Sequence, residues 1–313
     1  SPSEKLKGRC VIYKSNDLDD WDFYGELKTS YEDFGFMWEC PSFLKIDNKD
    51  IFIFSPQGIK EEEFRYQNIY QSGYLIGNLN YDTLEFKNNN EFKELDMGFD
   101  FYAPQVFKDE KGRNILIGWM GLPEKEEFHC SRENGWIFSL TMPRELTLKN
   151  GVLHQNPIEE IRKLRGDKIV SLKNTFIEDL NFNEVKENSY ELKLDIERQE
   201  ASKIEINFMK SNEEHTSLIY DFKKEICIID RNSMINGEKG IRKFKLHSNG
   251  NLKINMFVDK SSVEIYFQDG IEAASLKLYP KKDSFNLSLK SEEGKIKINS
   301  LSIWEMNEVN YNE

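Results

Sequence analysis

The residue best placed to do chemistry is Glu39, a carboxylate set between Trp38 and Cys40 in an aromatic stretch, residues 34–43. Burial beside apolar side chains raises the pKa of a carboxyl and makes it a candidate proton donor near neutral pH. Composition alone also allows a plainer arrangement, a strand end where Trp38 and Phe36 fill a core and Glu39 points to water. The stretch predicts a general acid, with a surface carboxylate as the alternative.

The composition predicts a globular protein of two domains that does not bind nucleic acid. The 313 residues exceed the usual size of one compact unit, and 38% of them are hydrophobic, enough for a sizeable core. The formal net charge is -12, with Lys and Glu mixed along most of the chain, which disfavours an anionic partner. The sequence contains no run of about 18 apolar residues, so no membrane span is predicted.

The cysteines indicate neither a metal site nor a disulfide framework. No C-x-x-C pair or cluster of His residues accompanies the four of them, Cys10, Cys40, Cys130 and Cys227. We therefore expect reduced thiols and no bound metal. Residues 1–5 lack the charged and then apolar pattern of a signal peptide. A reducing, cytoplasmic setting is the simplest expectation.

Short runs of β-branched and aromatic residues, separated by Asn, Asp and Gly, predict an all-β fold in the first half of the chain. The predicted strands include residues 10–13, 51–54, 74–76, 115–119 and 136–140. Asn150-Gly151 lies between two further apolar runs and predicts a two-residue hairpin turn.

A helix that joins two domains is predicted at residues 156–166. Asn156 is a suitable N-cap, Pro157 suits the first helical position, and Gly166 follows a basic last turn. We place the domain boundary in this linker, between residues 1–155 and residues 167–313.

The second half of the chain predicts a β-sandwich. Every second residue is apolar in residues 191–197 and again in residues 203–208, which is typical of strands with one buried and one wet face. Asn249-Gly250 and Asp269-Gly270 predict two more hairpin turns. This part contains no catalytic motif.

Five separated stretches resemble, in order, the motifs of glycoside hydrolase family 32: residues 37–41, 100–105, 117–121, 140–146 and 258–265. Residues 54–58 and 72–75 are most similar to its bacterial members that hydrolyse sucrose-6-phosphate. The resemblance implies a five-bladed β-propeller followed by a C-terminal β-sandwich. It also implies retaining hydrolysis of the β-fructofuranosidic bond of sucrose, sucrose-6-phosphate or a fructan.

The resemblance also implies roles for five residues. Glu39 matches the general acid/base and Cys40 lies beside the bound sugar. Tyr102 and Trp119 match positions near the funnel where the fructosyl ring sits, with propeller core packing as the alternative for both. Ser72 is a candidate for the rim. No cofactor is expected, because two carboxyl groups and water suffice for this chemistry.

Two family motifs are missing from this sequence. Family members carry a W-M-N-D-P-N-G type stretch with the nucleophilic Asp and an R-D-P motif with a stabilising Asp; neither occurs here. We expect a partial propeller that starts in its third blade, is inactive alone, and associates with the missing half or another copy. Asp96 and Asp100 are expected to be surface or structural carboxylates and not replacement nucleophiles.

The sequence leaves open whether the chain is catalytic and whether its substrate carries a phosphate. A non-catalytic carbohydrate-binding or scaffold protein on the same fold is the alternative function, because fold does not imply function. A phosphate group on the substrate would need a cation at the pocket mouth. The candidates are Lys60, Arg65 and Arg132, each with a solvated surface charge as its plainer role.

Overall fold

The computed structural model describes residues 6–309, and this part of the chain is built from strands. Helical structure within it is limited to four 3-10 helices of three to six residues. The all-β prediction is therefore confirmed. Residues 1–5, on which the signal-peptide expectation rests, lie outside the described range. No helix between residues 6 and 309 is long and apolar enough to cross a membrane.

The first half forms three antiparallel sheets. The strands of the first sheet are β1 (Val11–Lys14) and β2 (Asp22–Glu26). Those of the second are β3 (Met37–Ile46), β4 (Lys49–Gln57), β5 (Gly73–Asn80), β6 (Glu85–Asn88) and β7 (Lys93–Glu94). Those of the third are β8 (Tyr102–Lys108), β9 (Asn114–Met120), β10 (Ser139–Leu140), β11 (Arg144–Lys149) and β12 (Val152–Pro157).

The second and third sheets share an apolar core. Strands β4 and β5 contribute Ile53 and Tyr74, while the chain leading into β8 and strand β9 contribute Phe101 and Leu116. All four are buried. Because β-branched and aromatic residues pack well on a pleated surface, these runs form strands and hold the two sheets together.

Two six-stranded sheets make up the second half. One has the order β13 (Arg165–Ile177), β24 (Ile296–Met306), β15 (Tyr190–Arg198), β20 (Asn251–Asp259), β21 (Ser262–Phe267), β22 (Glu272–Lys277). The other has the order β14 (Asp179–Asn181), β23 (Asn286–Glu292), β16 (Lys203–Lys210), β17 (Thr216–Asp221), β18 (Ile226–Asp230), β19 (Ile241–Lys245).

The two six-stranded sheets bury their alternating apolar residues in one core. Leu192, Leu194 and Ile196 of β15 meet Ile204 and Ile206 of β16 there, and all are 4% exposed or less. The period of two in residues 191–197 and 203–208 therefore predicted these strands correctly.

Two of the three predicted hairpin turns are confirmed and one is wrong. Asn150 and Gly151 take left-handed φ angles of 51° and 76° between β11 and β12, which pair. Asp269-Gly270 lies between the paired strands β21 and β22. Asn249 and Gly250 are left-handed as well, but β19 and β20 belong to different sheets. The turn preference was local, whereas the pairing was decided by which face each strand buries.

The predicted helix of residues 156–166 is a single 3-10 helix, Glu159–Leu164. Asn156 does not cap it: this residue lies in β12, and its side-chain amide donates to the carbonyl of Asp269. Arg165 already begins β13. Only seven residues, 158–164, lie between the two strands, so tertiary pairing at both ends overrides the helix-forming signals.

The strand predicted at residues 136–140 is also largely wrong. Only Ser139–Leu140 is a strand, and it follows two 3-10 helices, Pro123–Phe128 and Cys130–Asn134. Trp136 is 43% exposed, with the Lys277 ammonium 4.8 Å from its ring centroid. The apolar run resembles a buried strand in composition but has no partner strand along most of its length.

Buried ion pairs join the two halves of the molecule. Arg144 of β11 is fully buried and donates to Asp96 of the first half and to Glu264 and Ser275 of the second. Asp100 accepts from Arg231 across the same boundary at 3.0 Å. Asp96 and Asp100 are therefore structural carboxylates.

Candidate active site

Glu39 lies at a bulge in strand β3. It pairs with Ser55 of β4, and the register shifts between Glu39 and Ser42. The bulge contains Cys40, whose φ of 48° is left-handed, and Pro41. Proline has no N–H to lose from the ladder, so it suits this interruption. A bulge redirects the side chains beside it, which turns Glu39 out of the regular strand pattern.

Strand β8 repeats the same local structure. Its register shifts between Tyr102 and Gln105, Ala103 has a left-handed φ of 45°, and Pro104 follows. In both strands a candidate site residue is followed by a left-handed residue and a proline. Two bulges of the same design thus lie in the second and third sheets.

The two bulges bring Glu39 and Tyr102 together. The Tyr102 hydroxyl donates to Glu39 Oε2 at 2.6 Å, and Gln57 Nε2 donates to that hydroxyl oxygen at 3.0 Å. Tyr102 is 4% exposed, while Glu39 is half-buried. Burial first, and the hydrogen bond to Glu39 second, raise the pKa of Tyr102. The phenol therefore remains a proton-bearing donor toward the carboxylate.

A second tyrosine and carboxylate adjoin this pair. The Tyr70 ring packs on Tyr102 with centroids 5.5 Å apart, and its hydroxyl donates to Glu124 Oε1 at 2.7 Å. This hydrogen bond is the largest reason that the pKa of Tyr70 is raised, and the charge of Glu39 adds to it. Glu124 lies in the first 3-10 helix and is exposed.

Cys40 is a protonated thiol beside Glu39. Burial, followed by the negative charge of Glu39, raises the pKa of the thiol, and a side-chain hydrogen bond with Gln105 acts in the opposite direction. A raised pKa makes Cys40 a poor nucleophile. Its position next to the carboxylate makes the thiol sensitive to the charge of Glu39.

Trp119 lies directly opposite Tyr102 in the β8–β9 ladder. Its ring meets Phe138 edge to face, with centroids 4.9 Å apart, and the residue is half-buried. Trp119 is thus part of the same corner of the third sheet as Tyr102. Contact with a sugar stays a prediction for this residue.

Ser72 is buried, and its place at the rim of a sugar site stays a prediction. It is 5% exposed, and its hydroxyl lies 2.9 Å from that of Ser55, the residue paired with Glu39. This pair of hydroxyls supports the β3–β4 ladder under the carboxylate.

The aromatic neighbours of Glu39 separate into core and surface. Trp38 is 6% exposed, packs on Phe54 and donates its indole N–H to the carbonyl of Phe34 at 2.7 Å. Phe36 is 45% exposed. Trp38 therefore fills the core, as in the plainer arrangement. Phe36 is exposed instead of filling the core, and Glu39 is half-buried and hydrogen-bonded to Tyr102.

Residues 1–157 match the family described as "Glycosyl hydrolases family 32 N-terminal domain", and residues 160–305 match "Glycosyl hydrolases family 32 C terminal". The chain belongs to glycosyl hydrolase family 32. The resemblance stated for its five motifs is thereby confirmed.

The curated relatives that this chain resembles include sucrose-6-phosphate hydrolases. That of Staphylococcus xylosus is 38% identical over 295 residues, which cover 93% of this chain and 59% of the relative. That of Bacillus subtilis (strain 168) is 35% identical over 313 residues, 96% of this chain and 62% of the relative. The chain thus spans about three fifths of the length of these relatives.

Solved structures confirm the predicted propeller followed by a sandwich. Sucrose-6-phosphate hydrolase from Lactobacillus gasseri superposes with a TM-score of 0.86 at 27% identity, over 97% of this chain and 62% of that one. The GH32 beta-fructofuranosidase of Bombyx mori gives a TM-score of 0.79 at 31% identity, over 97% and 61%. A mutant of the Bombyx mori enzyme has been solved in complex with sucrose.

Sequence reasoning missed three residues of the cluster around Glu39 and Tyr102: Gln57, Tyr70 and Glu124. Gln57 was visible only as part of a motif, and Tyr70 and Glu124 are 54 residues apart in the sequence. No spacing signal joins them, because the strand ends and the 3-10 helix meet through the fold. Between residues 6 and 309, no group of three or more His, Cys, Asp or Glu side chains is placed to hold a metal ion.

Proposed function

We propose that this chain provides the general acid/base of a retaining β-fructofuranosidase that acts on sucrose or sucrose-6-phosphate. The observation that carries the proposal is the 2.6 Å hydrogen bond from Tyr102 to Glu39 at two matched bulges. It leaves Oε1 of a half-buried carboxylate available to a substrate. The names of the family 32 relatives support the substrate class.

Within this proposal, Glu39 protonates the glycosidic oxygen as the sugar leaves, and Tyr102 stabilises the carboxylate that remains. Cys40 and Trp119 would contact the fructosyl ring, since apolar faces of a sugar pack against soft and aromatic groups. Retention of configuration requires a second carboxyl group about 5–5.5 Å away, which forms the glycosyl intermediate.

The attacking carboxylate is proposed to come from another segment. Asp96 and Asp100, the acidic candidates near a site motif, are engaged by Arg144 and Arg231 in buried ion pairs. We infer that the nucleophile comes from residues outside this sequence and that these 313 residues alone are inactive. An assay of the isolated 313-residue polypeptide tests this: sucrose hydrolysis without any added polypeptide would contradict it.

We also propose a domain division, a cellular compartment and a limit on phosphate binding. We place the domain division at residues 156–166, because the strands before and after this linker belong to different sheets. The four cysteines are free, and Cys10 and Cys227 are buried, which agrees with a reducing cytoplasm. Arg65 contacts Tyr66 and the carbonyl of Phe92, so its role toward phosphate would require a change of partner.

The role of Glu39 is tested by comparing two leaving groups. In whichever preparation turns over, Glu39→Gln is expected to lower sucrose hydrolysis by about 10²- to 10⁴-fold. A fructoside with a nitrophenol leaving group needs little protonation, so its hydrolysis should fall much less. Glu110→Gln, in the exposed turn after β8, is the matched control. Equal losses on both substrates would contradict an acid role for Glu39.

A further inference from the structure

Gln57 is the last residue of β4. Among the hydrogen bonds of residues 6–309, its side chain contacts Tyr102 and not Glu39. We infer that Gln57 is a positioning residue that decides which oxygen of Glu39 carries the acid proton, and that this oxygen is Oε1. The inference rests on the proposed acid role of Glu39 and adds the path by which the acid is oriented.

The phenol of Tyr102 has a single proton to donate. A tyrosine hydroxyl donates one hydrogen bond and accepts up to two, whereas an amide nitrogen only donates. Gln57 Nε2 lies 3.0 Å from the hydroxyl oxygen of Tyr102 and occupies an acceptor position there. The phenol proton must therefore point elsewhere, and Glu39 Oε2 at 2.6 Å receives it.

The same arrangement fixes the protonated form of Glu39. A proton on Oε2 would face the phenol proton of Tyr102, and that proton cannot turn toward Gln57, whose amide N–H already points at the hydroxyl oxygen. The acid proton therefore resides on Oε1. In the proposed reaction it passes from Oε1 to the glycosidic oxygen, while the electron pair of the breaking carbon–oxygen bond moves to that oxygen. Glu39 is left as a carboxylate that still accepts from Tyr102.

Gln57 is held firmly enough to impose this direction. Its carbonyl accepts from the N–H of Phe36 at 3.0 Å, and it pairs with Met37 across the β3–β4 ladder. On its other side it forms a β-bridge with Tyr70. The residue is half-buried. A backbone fixed on both sides keeps the amide aimed at the phenol.

Cys40 offers a test that does not depend on turnover. Its thiol adjoins Glu39, whose negative charge disfavours the thiolate. The rate of reaction with a pyridyl disulfide is followed across pH in a Cys130→Ser background. Besides the inflection of the thiol, this rate should show a second inflection at lower pH, where the charge of Glu39 changes. Cys130 is the exposed thiol, while Cys10 and Cys227 are buried. Glu39→Gln should remove the inflection.

Gln57→Leu removes the amide donor and is expected to move this inflection up by about half a pH unit. Gln57→Glu has the same shape but offers the phenol a competing acceptor, so a shift of about one unit is expected. Gln199→Leu, which removes a side-chain amide donor to Glu197 in the sandwich, should leave the inflection unchanged.

Two results would overturn the inference. One is an inflection that moves in Tyr102→Phe but in neither Gln57 variant. The other is an inflection that survives Glu39→Gln, because the titrating group would then be a different one. Failure of the proposed function would be recognised separately, as an absence of sucrose hydrolysis in every preparation while the titration behaves as expected.

Discussion

Glu39 and Asp96 are two carboxylates of one molecule in opposite circumstances. Asp96 is 5% exposed and accepts four hydrogen bonds, from Arg144, Gly98 N and both the N–H and hydroxyl of Ser275. Glu39 is half-buried and, within the described residues, accepts one, from Tyr102. A saturated carboxylate has no acceptor position left for a substrate, whereas Glu39 has kept one oxygen available.

The largest effect should separate activity from stability at Glu39. Glu39→Gln is expected to cost about 10²- to 10⁴-fold in turnover of sucrose. Its free energy of unfolding, measured by urea denaturation, should change by less than about 1 kcal/mol, since one partly exposed hydrogen bond is affected. A loss of stability as large as the loss of activity would place Glu39 with Asp96, as a structural residue.

Arg144→Met should give the opposite result. It leaves Asp96 and Glu264 buried without their cation, which is expected to lower the free energy of unfolding by about 3–5 kcal/mol. Lys253→Met breaks the exposed pair with Asp269 and serves as the control, with a cost below about 1 kcal/mol. Equal costs in the two variants would show that burial does not set the value of the Arg144 network.

Glu94 allows a test of a buried carboxylate with too few partners. Burial is the main reason that its pKa is raised to about 7, and its Oε2 has no partner in the described structure. Folding therefore favours the protonated form, and the associated stability is present in acid and lost as pH rises through 7. The free energy of unfolding should fall by about 2 kcal/mol between pH 5 and pH 8.

Glu94→Gln should remove most of that dependence on pH. The amide keeps the acceptor that Tyr66 N–H uses and carries no charge to desolvate. Urea denaturation at a series of pH values measures the slope. Asp100 provides the contrast. Burial acts to raise its pKa, but the charge of the Arg231 guanidinium acts in the opposite direction and the pKa is lowered. The stability that Asp100 contributes is therefore lost in acid. An unchanged slope in Glu94→Gln would assign the dependence to other groups.

Tyr102→Phe is expected to have the smallest effect of the series, about 10-fold on turnover, because it removes one hydrogen bond to a charged acceptor. The loss should appear in kcat and in the alkaline limb of the pH profile, where a general acid loses its proton, with KM little changed. Tyr81→Phe, at an exposed tyrosine, is the control. A change confined to KM would indicate that Tyr102 binds sugar and does not orient the acid.

The sequence predicted the carboxylate and much of its scaffold, for identifiable reasons. Strand periodicity is local, so residues 51–54 and 191–197 were placed correctly. The acid/base role predicted for Glu39 rested on the ordered motifs. The left-handed φ of Cys40 and Ala103 could not be predicted, because neither residue type favours that conformation. Asn249-Gly250 failed because its flanking strands found partners in different sheets.

The interaction between Glu39 and Tyr102 also depends on how far apart two sheets are held. The two residues lie on β3 and β8, and Ile53 and Leu116 are among the core residues that separate those sheets. Loosening this core by a fraction of an ångström would lengthen the 2.6 Å contact while every strand stays paired. Heating is therefore expected to inactivate the site at a lower temperature than it unfolds the chain.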